Sequence, residues 1–90
     1  MYSSFNEVWN RIVTHHGEAF YTKTGKLFTY QIDSNYFLPS RTNYRISKND
    51  FEKAFADVPF NGPGDIKWSV RGPAYIWAIL HDPRIRQDQW

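Results

Sequence analysis

Cysteine is absent from this 90-residue chain. That excludes a disulfide framework, a thiol nucleophile and any cysteine-based zinc site. Long apolar runs are absent as well: nothing approaches the roughly 18–20 residues needed to cross a bilayer, so no membrane partner is expected. The start, Met1-Tyr2-Ser3-Ser4, lacks the basic-then-apolar layout of a secretory leader, and the expected location is the cytoplasm. No Gly-x-Ser-x-Gly elbow is present. Gly62-Pro63-Gly64 is too short for a phosphate-cradling loop and carries a proline where amide donors are needed. Neither an internal repeat nor a low-complexity stretch is visible.

Charge of one sign is also scarce. Eleven basic and nine acidic side chains leave a net charge of +2, too mild to name a partner by itself. The distribution is uneven, however. Between Ala19 and Asn49 the charged residues are Lys23, Lys26, Arg41, Arg45 and Lys48 against the single acid Asp33.

Aromatic residues are abundant. Seven Phe, six Tyr and four Trp make up 19% of the chain, and large rings bury about 150–250 Å² each. A chain of this size is expected to fold as one domain, residues 1–90, around one core that rests on packing or on association.

Apolar periodicity supplies the elements. Phe5, Val8, Trp9, Ile12 and Val13 form a helical stripe; Ser4 with Glu7 makes a capping box and Gly17 a terminator, predicting a helix over about 4–16. Residues 19–22 and 27–32 read as a β-hairpin around Lys23-Thr24-Gly25-Lys26, with Phe28, Tyr30 and Ile32 facing the core. Tyr36-Phe37-Leu38 adds a third strand that Pro39 ends. Tyr44-Arg45-Ile46 is a short extended piece leading into a second helix. Ser47 caps that helix, Ile46 staples onto Phe51, and Pro59 ends it. Ile66, Trp68 and Val70 resume an apolar alternation. Gly72-Pro73 opens a third helix with Ile76, Trp77 and Leu80 on its apolar face, and Asp82-Pro83 stops it. The expected fold is α+β, in the order α-β-β-β-α-(β)-α: a three- to four-stranded antiparallel sheet flanked by three helices, with residues 87–90 loosely held.

The strongest binding constellation is Arg41, Tyr44, Arg45 and Lys48, interleaved with Ser40, Thr42, Asn43 and Asn49. Guanidinium and ammonium groups meet phosphate oxygens, small polar side chains add hydrogen bonds, and a tyrosine stacks on a base. The bland alternative is a solvated surface at a helix start. Tyr36, Phe37, Tyr75 and Trp90, with Tyr21 and Phe60, fall off the core stripes. They are the candidates for an interface, either between copies in a homo-oligomer or with another protein.

A catalytic or metal reading would rest on His15, His16 and Glu18. Adjacent helical residues diverge by about 100°, so the two imidazoles are expected to ease a helix C-terminus instead. His81-Asp82 suffers from the same adjacency. Gly72-Pro73, with Ser69 and Arg71 upstream, is a weak anion site. No catalytic residue, metal ligand or cofactor is assigned. The expectation is a non-catalytic binding module, for nucleic acid or another anionic partner, with self-association as the alternative and a small His-based or metal enzyme third.

Three stretches resemble a known group of sequences. They are Phe20-Tyr21-Thr22-Lys23-Thr24-Gly25-Lys26-Leu27-Phe28-Thr29-Tyr30; Ser40-Arg41-Thr42-Asn43 through Ile46-Ser47-Lys48-Asn49-Asp50-Phe51-Glu52; and Arg71-Gly72-Pro73-Ala74-Tyr75-Ile76-Trp77-Ala78-Ile79-Leu80. Together they are similar to small uncharacterised bacterial proteins carried on mobile gene (integron) cassettes. The resemblance implies a bacterial, cytosolic protein and carries over no catalytic residues.

Overall fold

Helix α1, Phe5–Thr14, begins where the Ser4 side chain accepts the Glu7 amide. It buries Phe5, Val8, Trp9 and Ile12, four of the five residues in the stripe its spacing predicts, and Val13 is half-buried. The computed structural model describes residues 3–90. Met1 and Tyr2, half of the stretch behind the leader-free expectation, lie outside the described residues.

After α1 the chain forms a two-residue hairpin, β1 (Phe20–Tyr21) and β2 (Leu27–Phe28), pairing Phe20 with Phe28 and Tyr21 with Leu27. Gly25 in its turn has φ +86°, a conformation that favours glycine. The second sheet contains β3 (Tyr30–Asp33), β4 (Tyr36–Pro39) and β5 (Ile46–Ser47), antiparallel in that order. Helix α2 is Lys48–Phe55, capped by Ser47, whose side chain accepts the Asp50 amide. A short 3-10 turn, Pro63–Asp65, precedes α3 (Pro73–Leu80) and α4 (Pro83–Arg86).

The fold is α+β, with differences in detail. The strand expected over 27–32 is interrupted at Thr29, which divides the meander into two sheets. Ile46–Ser47, expected only as an extended lead-in, supplies the third strand of the second sheet. Residues 66–70 form no strand, and Trp68 is exposed, because that loop has no strand to pair with. Pro83, expected only to stop the third helix, opens a fourth, and the end expected to be loose, residues 87–90, returns to the core through Trp90. Asp82 caps α4 through the Arg84 amide, and the buried Trp90 donates its indole N–H to the Leu80 carbonyl at 2.6 Å.

Helix ends explain two of the tightest side-chain bonds. The last carbonyls of a helix lack intrahelical donors. Trp90 serves one at the end of α3, and the buried Tyr30 hydroxyl serves Ile12 at the end of α1, at 2.6 Å. The core itself is a run of rings. Phe20 meets Tyr30 at 5.4 Å between centroids, Tyr30 stacks on Phe37 at 4.3 Å, and Phe37 meets Phe51 at 5.0 Å. Phe51 contacts Trp9, Trp9 contacts Phe5, and Phe55 joins Phe5 to Trp90. This run ties both sheets, α1, α2 and the C-terminus into one cluster, each buried ring contributing about 1.5–3 kcal/mol.

Candidate functional site

Among the described residues the helices and the ring cluster pack on the side of the sheets that carries Phe28, Tyr30 and Phe37, and the side chains of the opposite side are exposed. Along β4, Phe37 and Pro39 point inward while Tyr36 and Leu38 point outward. Along β3, Gln31 and Asp33 are the exposed pair. The register places Gln31 across from Leu38, Asp33 across from Tyr36, and Ser47 across from Tyr36 on the other side. The same alternation continues back through Thr29, whose amide and carbonyl bond to Ser40, to Leu27 and its partner Tyr21. Four of the five exposed large hydrophobic side chains therefore share this surface: Tyr21 (61% exposed), Leu27 (50%), Tyr36 (38%) and Leu38 (36%).

Two arginines join them. Arg45 precedes β5, and its guanidinium lies over the Tyr36 ring at 4.4 Å. Arg41 reaches the Leu27 carbonyl at 3.5 Å, a long contact. Neither forms an ion pair among the described residues, in contrast to Arg84, which binds both Glu18 and Asp82. Among the described residues Asp33 is the carboxylate that β3 presents on this surface, and Glu52 stands at its edge beside Tyr36.

Two clefts flank the Tyr36–Arg45 stack. One, of about 430 Å³, lies between the β3–β4 turn and the start of α2 and is lined by Ser34, Asn35, Tyr36, Lys48, Asn49 and Glu52, with Ser47 between them. The other, of about 280 Å³, is lined by Leu38, Thr42, Asn43, Tyr44 and Arg45.

Of the anion-binding candidates, Arg41 and Arg45 share the open face. Lys48 stands at the start of α2, its ammonium 6.0 Å from the Trp9 ring. Tyr44 is half-buried against the core, with Arg71 stacked on it at 5.5 Å. Burial pushes its phenol above the ordinary value, with Tyr75 adding to the shift, so it is neutral at physiological pH. Tyr44 can offer a ring wall to the second cleft but not an open stacking platform.

Two interface candidates require correction, and a third, Tyr75, is half-buried. Phe37 is fully buried between Tyr30 and Phe51, because alternation along β4 turns it inward. Trp90 is buried against Phe55. Tyr75 packs edge-on against Phe28 at 5.0 Å. Tyr36 alone of the four is exposed. Leu27 and Leu38 belong to the surface and were missed; period-two alternation already puts Leu27 opposite Phe28.

The histidine candidates do not converge. His15 bonds Glu18 at 2.9 Å, while His16 bonds the Val13 carbonyl at the end of α1. The His15 hydrogen bond, and then Arg84, hold Glu18 below the usual carboxylate range. Glu18 is thus committed to a surface network in which Arg84 also lies over the Phe20 ring at 3.6 Å. Among the described residues no cluster of three or more His, Asp or Glu is placed to hold a metal ion. His81 and Asp82 face different partners, Phe60 and Trp77 for the imidazole and Arg84 for the carboxylate. Just before Gly72-Pro73 the Arg71 amide donates to the Asp50 carboxylate.

No protein-family model, curated protein or solved structure matches the chain. Among the described residues no helix is long and apolar enough to cross a membrane.

Proposed function

We propose that this chain is a non-catalytic binding module for nucleic acid, with the open sheet face as its contact surface. The observation that carries this is the Arg45 guanidinium stacked on the exposed Tyr36 ring without a carboxylate partner. A surface arginine usually settles beside an acid or into water. Here a planar cation, a second unpaired arginine and exposed rings occupy one sheet face, which supplies phosphate contacts and stacking together. The cytoplasm, and the bacterial setting implied by the cassette resemblance, belong to the same proposal.

The test is a titration of the purified chain with labelled DNA and RNA at two salt concentrations. Binding that weakens steeply with salt supports the proposal; no binding at low salt overturns it. A second reading is favoured by the cluster of Tyr21, Leu27, Tyr36 and Leu38, which would also suit a symmetric contact between two copies. Light scattering behind size exclusion tests it: a dimer that excludes nucleic acid favours self-association, and a monomer at high micromolar concentration removes it.

A further inference from the structure

The cleft beside Arg45 has a different chemistry from the rest of the face. Its lining combines an apolar side chain, Leu38, the wall of the Tyr44 ring, the amide of Asn43 and the guanidinium of Arg45. The loop that shapes it is held by its own backbone: Thr42 donates its amide to the Pro39 carbonyl and its hydroxyl to the Tyr44 carbonyl. The Asn43 amide and the Arg45 guanidinium take no part in that bracing and have no hydrogen-bond partner among the described residues. An apolar wall with donors and an acceptor at its edge matches a planar heterocycle that is apolar on its faces and polar on its rim. A base reaches such a cleft only when it is unpaired, since pairing covers its hydrogen-bonding edge and stacking covers its faces.

We propose that the Leu38–Arg45 cleft receives one unpaired nucleobase, so that the partner is single-stranded nucleic acid rather than a duplex. This rests on the nucleic-acid function proposed above. In the bound arrangement Leu38 and the Tyr44 ring contact the base, Asn43 and Arg45 read its edge, and Tyr36 offers its ring to the neighbouring base. Arg41 and the free donors of Arg45 then meet the backbone phosphates.

The experiment compares three probes on the full chain: a single strand, the duplex of the same sequence, and a strand of equal length with abasic sites. The abasic strand keeps every phosphate and removes the stacking and edge contacts. The expected result is roughly tenfold or greater preference for the single strand over both others. Asn43→Ala and Leu38→Ser, both at exposed positions, should narrow that preference by weakening the single strand more than the abasic strand. Equal affinity for all three probes overturns the base pocket and leaves the phosphate-binding function standing. Failure to bind any of them removes both proposals together.

Discussion

Trp90 offers a sharp test of how the C-terminus is held. Its ring packs edge-on against Phe55 at 5.2 Å, and its indole donates to the Leu80 carbonyl, one of the acceptors α3 cannot satisfy internally. Trp90→Phe keeps a ring but leaves that buried carbonyl without its donor, which costs about 1–3 kcal/mol. Trp90→Ala removes the ring too and should cost about 3–5 kcal/mol. Domains of this size have only about 5–15 kcal/mol of total stability, and each kcal/mol moves the melting temperature by about 4–8 °C. Urea titration followed by far-UV circular dichroism should show a lower midpoint for Trp90→Phe and a much lower one for Trp90→Ala, with an unchanged slope. An alanine variant as stable as the parent would refute the account of the tail as part of the core.

Other expectations follow from single residues. His81 donates from Nδ1 to the Trp77 carbonyl and accepts the Phe60 amide at Nε2, an arrangement for the neutral imidazole. Burial lowers its proton affinity from the ordinary value of 6.5. The unfolded chain therefore takes the proton first as pH falls. This contribution is complete above pH of about 6.5 and is lost progressively below it, down to the lower folded value. The pH dependence of the urea midpoint checks this, and His81→Phe should remove the slope in that window. Gly72→Ala should destabilise by more than about 1 kcal/mol, because φ is +62° there and an added Cβ would lie 2.5 Å from Ile46 Cδ1; the same titration measures it. Tyr30→Phe should cost about 1 kcal/mol by stranding the Ile12 carbonyl, without altering the circular dichroism spectrum.

Local signals in the sequence were dependable where one residue decides the geometry. Ser4 and Ser47 cap their helices, and four of the five residues in the predicted stripe of α1 are buried. What sequence could not assign was the fate of residues whose partners lie far along the chain. Trp90 looks like a loose end until Leu80 and Phe55 are brought beside it. Phe37 looks surplus until β4 pairs with β3 and β5, which turns it toward Tyr30 and Phe51. Ile66, Trp68 and Val70 alternate as a strand would, yet have no ladder to join. The candidate site was legible as chemistry rather than as geometry. Arg41 and Arg45 do share a face, whereas the helix start and the core hold Lys48 and Tyr44 back as walls of the two flanking clefts.

The most direct test of the central claim is the salt dependence of binding to a single-stranded oligonucleotide, compared between the parent chain and the Arg41→Ala/Arg45→Ala double variant. Each phosphate contact on a single strand contributes about 0.7 to the slope of log affinity against log salt, so loss of both arginines should weaken binding and flatten that slope by about 1.4. Unchanged affinity and slope in a folded double variant would contradict the assignment of the open sheet face as the nucleic-acid contact surface.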